Sequence, residues 1–183
     1  RQPYCQYAEP VHQIALLYSN EAHKRSSKVV FNNDGLDALK GILNALLDGQ
    51  QTVEVVMEHH LHQAMNKYPM IIIPEWKYLQ PEFKTELLTY VSQGGNLMVF
   101  GPEAVQLFEK ELGIQITGKP EVHSSQYLAC GNTMAAMTGL TLPVILPNNS
   151  TPFGKVFLND DFRDVSKPAA SISPYGKGKI AAV

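Results

Sequence analysis

The chain has 183 residues, which is enough for one domain with a substantial hydrophobic core. It is 44% hydrophobic and 17% charged with a formal net charge of −2, so its electrostatics give no reason to expect a nucleic acid or a membrane surface as partner. No apolar run approaches the roughly 20 residues that span a bilayer, and runs such as MIII are the size of one strand.

The two ends of the chain look like parts of a longer polypeptide. Residues 1–11, RQPYCQYAEPV, have no hydrophobic periodicity and predict a linker, so we expect a single domain over residues 12–183. The absence of an initiator Met and the stop within the apolar run KIAAV predict a segment excised from a multidomain protein, with any targeting signal elsewhere. Cys5 and Cys130 form no C-x-x-C pair, and both one disulfide and two free thiols stay open for them.

The first part of the domain alternates apolar strands with helices. A strand is predicted over about residues 13–18, and a polar loop follows it. Asp34 is a candidate helix cap, the leucines of GLDALKGILNALLDG recur at helical spacing, and Gly49 is predicted to be the C′ glycine just after the helix. TVEVVME is the second strand, HHLHQAMNKY a short helix or loop, and MIIIP the third strand.

The fourth unit has the clearest signals. Pro81 suits the first turn of a helix, Glu82 favours the positive end of the helix dipole, and Gly94 ends the helix before the strand NLMVF. The order β-α-β-(α)-β-α-β, with continuous apolar strands, predicts an α/β fold with a doubly wound, mainly parallel sheet in three α/β/α layers. Its crossovers are expected to be right-handed.

The signals weaken after Gly101. AVQLFEKELG predicts a short helix ending at Gly113, and IQITG predicts a strand. Residues 118–151 are rich in Gly, Pro, Thr and Asn, which predicts irregular structure, with edge strands as the alternative. KVFLND and ASISPYGKGKIAAV predict late strands, in which antiparallel pairing is expected and Gly176 and Gly178 allow a tight turn.

One long run carries a family resemblance. YPMIIIPEWKYLQPEFKTELLTYVSQGGNLMVFG has, in order, a strand ending in Pro, a loop, a helix, Gly-Gly and a strand, and it resembles the trimerisation domain of bacterial β-galactosidases. The opening HQIALLYS and the tail YGKGKIAAV fit the same pattern, so the resemblance covers most of residues 12–113 and the last ten or so. It implies the class I glutamine amidotransferase-like superfamily and a flavodoxin-like fold.

That superfamily places a catalytic Cys at a strand-to-helix corner. Here the corner falls at Gly101, Pro102 and Glu103, which supply no thiol or hydroxyl nucleophile. Cys130 comes well after the corner without a helix start that would lower its pKa, and no His-x-Glu pattern follows His123. The resemblance therefore implies the scaffold without amidotransferase chemistry.

The loop PEWKY follows the third strand, at the sheet edge where open α/β sheets bind ligands. Glu75, Trp76 and Tyr78 could recognise a sugar by stacking and by accepting hydroxyl hydrogen bonds, but we favour packing of Trp76 at a subunit or domain interface. Glu75 and Glu103 are the one carboxylate pair expected at this edge, as a glycosidase would need. Two solvated loop acids are the favoured interpretation, because the catalytic pair of the resembling enzymes lies in a separate barrel.

Two other clusters were considered as ligand sites. His59 and His62, with Glu58, have a spacing that metals can use, but a polar surface loop is favoured and no metal is predicted. Ser19 and Asn20 end the first strand, where related folds hold phosphate. The loop lacks the glycines that phosphate binding needs, and neither G-x-G-x-x-G nor G-x-x-x-x-G-K-[ST] occurs, so no cofactor is predicted.

The leading hypothesis is a non-catalytic accessory domain of a larger bacterial glycoside hydrolase, periplasmic or secreted. Its partners would be the catalytic barrel of the parent chain and a second subunit in a homo-oligomer, with carbohydrate as a further candidate and neither nucleic acid nor membrane. A carbohydrate-binding module that uses Trp76 and Tyr78 is the alternative. An independent hydrolase that uses Glu75, Glu103 or the histidines is less favoured.

Overall fold

The computed structural model describes residues 11–26, 36–159, 163 and 165–183. Its strands are β1 (Ile14–Tyr18), β2 (Val53–Met57), β3 (Met70–Ile73), β4 (Asn96–Val99), β5 (Gln115–Ile116), β6 (Glu121–Cys130), β7 (Thr133–Thr141), β8 (Val144–Ile145), β9 (Thr151–Phe157), β10 (Lys167–Tyr175) and β11 (Gly178–Ala182). Its α-helices are α1 (Asn20–Ser26), α2 (Asp37–Asp48), α3 (Glu58–Leu61), α4 (Pro81–Ser92), α5 (Pro102–Leu107) and α6 (Glu109–Leu112), and Met65–Lys67 form a 3₁₀ turn.

Nine strands form one sheet in the order β2-β1-β3-β4-β11-β10-β9-β6-β7, and β5 pairs with β8 in a small second sheet. The first five strands of that order are parallel, while β10, β9, β6 and β7 pair antiparallel. The predicted flavodoxin-like α/β fold, mainly parallel and with antiparallel strands near the C-terminus, is confirmed. None of the helices in the described part of the chain is long and apolar enough to cross a bilayer.

The core lies along the parallel strands. Leu16, Ile71, Leu97 and Ile180, from four neighbouring strands, are each 1% exposed or less. Helices cover both faces of this part of the sheet, and such strands need apolar residues at nearly every position. This is why the first strands could be recognised in the sequence as continuous apolar runs.

Helix α4 forms as its sequence predicts. It begins at Pro81, buries Phe83, Leu87 and Val91 together with Tyr90, and is followed by Gly94 at φ 122°. The Tyr90 hydroxyl donates to the carbonyl oxygen of Tyr68 at 2.8 Å, which fixes the helix to the start of β3. The predicted boundaries are therefore correct at both ends.

The end of α2 differs from the prediction. Gly49 has φ −76° and its N–H donates to the carbonyl of Ala45 at 3.0 Å, so it continues the right-handed turn. The left-handed residue is Gln50, at φ 56°. The expected role of Gly49 was wrong because the chain turns one residue later, and Asp34, the predicted cap, lies outside the described residues.

The largest correction falls on residues 118–151. Instead of irregular structure, this region contains a long hairpin of β6 and β7, and β7 is an edge strand of the main sheet, as the alternative interpretation had it. Most of the hairpin is exposed on both faces, so its side chains do not follow the apolar alternation of a half-buried strand. The Gly131-Asn132 turn, a dipeptide typical of two-residue hairpins, was the available signal.

The C-terminal hairpin packs tightly on the end of α4. Gly176 has φ 60°, and a β-carbon there would lie 2.6 Å from Ser92 Cα. A β-carbon at Gly178 would overlap the carbonyl oxygens of Gly95 and Val91. Both glycines are therefore required by close backbone approach as well as by the turn.

Candidate functional site

The Glu75 side chain, from the loop after the neighbouring strand β3, fills the corner after β4. Gly101 has φ 88°, and α5 starts at the next residue, Pro102. Glu75, which follows β3, places its Oε1 where it accepts the backbone N–H of Glu103 at 3.3 Å. A β-carbon at Gly101 would overlap the Glu75 carboxylate. A nucleophilic side chain at Gly101 thus has neither the backbone geometry nor the space that it needs.

The predicted neighbourhood of Glu75 and Glu103 is found in the structure. Burial of the half-buried Glu75 carboxyl raises its pKa, the Glu103 backbone N–H lowers it, the Glu103 charge raises it, and Lys77 lowers it. Lys77 Nζ lies 3.0 Å from Glu103 Oε1. Glu75 therefore satisfies a free N–H in the first turn of α5, and Glu103 forms a surface ion pair.

Trp76 lies in the core, not on the surface. Its side chain is 4% exposed, its Nε1 donates to the carbonyl of Leu17 at 2.9 Å, and it meets the Tyr18 ring edge-on at 5.9 Å between centroids. In this conformation no indole face is free to stack on a sugar or to enter an interface. Tyr78 is half-buried, and the Arg25 guanidinium carbon lies 3.8 Å above its ring centroid. Together these contacts fix the loop PEWKY to β1 and α1.

Ser19 and Asn20 occupy the start of α1. Ser19 is fully buried, donates its hydroxyl to Glu58 Oε1 at 2.7 Å and accepts the Ala22 N–H at 3.1 Å. This is the bonding of a helix cap, and it also ties α1 to the first residue of α3. Asn20 is the exposed first residue of the helix.

An open depression of about 380 Å³ lies beside these residues. It is lined by Asn20, Glu21, Glu58, His59, His62, Gln80, Glu82 and Phe83. The Glu86 carboxylate positions His62, one of the lining residues. It accepts the N–H of Gln63 at 2.7 Å and lies 2.6 Å from His62 Nδ1. Among the described residues, no group of three or more His, Cys, Asp or Glu side chains has the geometry to hold a metal ion.

The residues considered for an amidotransferase triad are far from the corner. Cys130 is an exposed free thiol on β6, and His123 on the same strand bonds Thr141 Oγ1 at 2.9 Å. Four strand spacings separate β6 from β4, a distance of roughly 19 Å. The structure thus brings Glu75 and Glu103 together and leaves Cys130 and His123 apart from them. Cys5 lies outside the described residues.

Sequence reasoning missed three residues of this edge. Glu86, Lys77 and Arg25 contact His62, Glu103 and Tyr78 respectively, across helices and loops that are distant in the chain. No motif marks them. Gly101-Pro102 was a signal for the corner itself, because a proline at the first helical position after a strand fixes where the helix begins.

No family model and no curated protein sequence matches the chain. Solved structures do match. A β-galactosidase from Bacillus circulans superposes with a TM-score of 0.73 at 13% identity, over 97% of this chain and 29% of the enzyme. The exo-β-1,4-mannosidase Op5Man5 from an Opitutaceae bacterium gives 0.67 at 17% identity, over 94% of this chain and 31% of that one. A ThuA-like protein from Parabacteroides merdae gives 0.56 at 12% identity, over 96% and 79%.

These matches define the class of the fold. The chain has the flavodoxin-like α/β fold, and the predicted resemblance to one domain of β-galactosidases is confirmed. At these identities the likeness concerns the fold alone. The chain spans less than a third of the length of the β-galactosidases it matches, whereas it spans most of the ThuA-like protein. The Trp76 indole is buried within the chain, and whether Glu75, Tyr78, Glu103, Ser19 or Asn20 contacts a ligand or another subunit stays a prediction.

Proposed function

We propose that the chain is a non-catalytic accessory domain of a larger glycoside hydrolase, and that it packs against the catalytic barrel of that enzyme. The proposal rests on the unequal coverage of this chain and of the β-galactosidases in the structural superpositions. Nearly the whole chain superposes on β-galactosidases, but on 27–29% of their length. The chain then corresponds to one domain of such an enzyme, with the sugar chemistry in the remainder.

The corner after β4 supports the non-catalytic part of the proposal. Gly101, Pro102 and Glu103 supply no thiol or hydroxyl there, and the space beside Gly101 holds the Glu75 carboxylate, which accepts a helix N–H. Glu103 is paired with Lys77. Both carboxylates are therefore engaged with groups of their own chain, which supports a structural role for them.

The test has two parts. The first is to assay the chain by itself with chromogenic glycosides and with glutamine, and we expect no turnover of either. The second is to read the coding sequence on both sides of the segment and to express the complete reading frame with and without residues 12–183. We expect a barrel with two catalytic acids, a secretion signal at its start, and loss of stability or assembly on deletion.

Two results would overturn the proposal. Turnover of a glycoside by the chain alone, abolished by Glu103→Gln and retained in the matched Glu109→Gln variant, would make it an enzyme. A reading frame that contains no barrel would leave the fold as a protein of its own, as in the ThuA-like neighbour, most of whose chain it covers.

The alternative function, a carbohydrate-binding module, depended mainly on Trp76. Because Trp76 is buried, its indole face is not available to a sugar. Sugar binding would need another surface, and the depression lined by Asn20, Gln80 and three glutamates is the candidate with suitable polar groups. Calorimetric titration with oligosaccharides decides between the two functions. A saturable heat of oligosaccharide binding that is lost in Glu82→Ala would favour a carbohydrate-binding function. The absence of any binding heat would favour the accessory role.

A further inference from the structure

The two ends of the nine-stranded sheet differ in how they are protected. β2 has five residues and includes Glu54, whereas the nine residues of β7 (Thr133–Thr141) include neither a charge nor a proline. Within the part of the chain that the structure describes, β7 pairs on one side only, with β6. Its outer side presents a row of backbone N–H and C=O groups suited to another extended strand, without the charges that natural edges use against such pairing.

The exposed apolar side chains of the hairpin concentrate on this same strand. Met134 and Leu140 are each 46% exposed and Met137 is 36% exposed. Because side chains alternate along a strand, Met134 and Leu140 project from one face and Met137 from the other. Leu140 lies opposite Val122 of β6, which is 79% exposed, so the apolar surface continues across the hairpin.

We infer that β7 pairs antiparallel with β7 of a second copy of this chain, across a two-fold axis at Met137. This arrangement sets Met134 opposite Leu140 of the second copy and Thr133 opposite Thr141, so that all nine residues of each strand are used. Moving the axis to Ala136 sets Met134 opposite Thr138, and moving it to Thr138 sets Met134 beyond the end of the strand. The Met137 register is therefore the one that matches apolar with apolar residues along the full edge.

The charges nearby permit this pairing. A two-fold interface brings each residue near its own copy, so an unpaired charge on the edge would meet a like charge. The ionisable residues of the hairpin are Glu121, His123, Tyr127 and Cys130, all on β6, and His123 Nε2 lies 3.5 Å from Glu121 Oε2 at the base of the hairpin. The inference rests on the proposed function for its setting, as the homo-oligomer contact of an accessory domain, but its geometry does not involve a barrel.

The first experiment measures self-association of the chain by sedimentation over a range of concentrations. We expect a monomer–dimer equilibrium. Met137→Lys places two ammonium groups at the axis, and we expect loss of the dimer with an unchanged circular dichroism spectrum. Ser124→Lys adds the same charge to the inner strand of the same hairpin and is expected to leave the dimer intact.

The second experiment tests the register with cysteines, in a chain that carries Cys5→Ser and Cys130→Ser. Residues opposite each other in antiparallel strands have Cα atoms about 4.5–5.5 Å apart, which a disulfide can span. Met137→Cys is therefore expected to form a dimer on mild oxidation. Ala135→Cys is not, because Ala135 faces Gly139 of the second copy.

A chain that stays monomeric, an oligomer that survives Met137→Lys, or a cross-link at Ala135 but not at Met137 would each overturn the inference. None of these results bears on the accessory role, which fails instead if the chain alone hydrolyses a glycoside or if its gene encodes no barrel. The two proposals can therefore fail separately.

Discussion

The two halves of the main sheet are built on different principles. In the parallel half, β2, β1, β3, β4 and β11 lie next to helices, and the centres of β1, β3, β4 and β11 are closed to solvent. In the antiparallel half, the hairpin of β6 and β7 extends from β9 with most of its residues exposed. The parallel half therefore supplies most of the hydrophobic stability, while the outer hairpin depends on backbone pairing and leaves most of its surface exposed.

The largest expected contrast comes from truncating one apolar residue in each half. Ile71→Ala removes a fully buried side chain from β3 and should lower the free energy of unfolding by about 2–5 kcal/mol. Leu140→Ala removes a side chain that is 46% exposed and should change it by less than about 0.5 kcal/mol. Denaturant unfolding of the monomer measures both, and similar losses would mean that the hairpin contributes to the core.

Trp76→Phe should have the next largest effect. It removes the Nε1–H donor and leaves the Leu17 carbonyl, on a buried strand, without that partner. Loss of this bond should cost about 1–3 kcal/mol, in addition to the lost packing. The control is Tyr175→Phe on β10, in the antiparallel half, where the side chain is half-buried and a smaller loss is expected. Thermal unfolding followed by circular dichroism suits the comparison, because the variant lacks the single tryptophan.

Glu75 offers a pair of substitutions at the corner. Glu75→Ala removes the acceptor for the Glu103 N–H and should destabilise the protein by about 0.5–2 kcal/mol, as loss of a helix cap does. Glu75→Gln retains a carbonyl acceptor without a charge, so at neutral pH it should be more stable than Glu75→Ala.

The pH dependence has a definite sign. Burial raises the pKa of Glu75 above its ordinary 4.5, so the folded state binds the proton more tightly than the unfolded state does. Its contribution to stability is full below 4.5 and is lost as the pH rises through the raised pKa. The stability of the natural chain relative to Glu75→Gln should therefore fall over that window, and unfolding measured at a series of pH values checks it. An increase in this stability difference with rising pH would contradict burial as the cause of the pKa shift of Glu75.

The smallest effect expected is a gain. Gly41 lies on the exposed side of α2, and a β-carbon there meets nothing within 4 Å. Gly41→Ala should stabilise the protein by about 0.5–1 kcal/mol through helix propensity. The matched change Gly131→Ala, in the hairpin turn, also meets nothing within 4 Å, but its φ of 58° makes the change unfavourable. If Gly131→Ala also stabilised the protein, the hairpin turn would have to change its backbone conformation to accommodate the added β-carbon.

Much of the parallel half was predictable from the sequence. The order of strands and helices from β1 to β4 follows from continuous apolar runs, and Pro81 and Gly94 marked α4 at both ends. The hairpin was not predicted, because strands that are exposed on both faces lack the apolar alternation that identifies strands in a sequence. The site was predicted in part: Glu75 and Glu103 were placed on one edge correctly, since neighbouring parallel strands end together, but Trp76 was expected at a subunit or domain interface and lies in the core.

The sequence by itself determined the α/β class, the missing nucleophile at Gly101-Pro102-Glu103 and the nearly neutral charge, because these depend on residue types and on their spacing along the chain. The tertiary structure alone decided that the Glu75 carboxylate fills the corner, that Trp76 bonds the Leu17 carbonyl within the core, and that β7 forms an open edge. The physical reason is that each of these depends on packing and pairing between segments distant in the chain, which no local pattern of residues encodes.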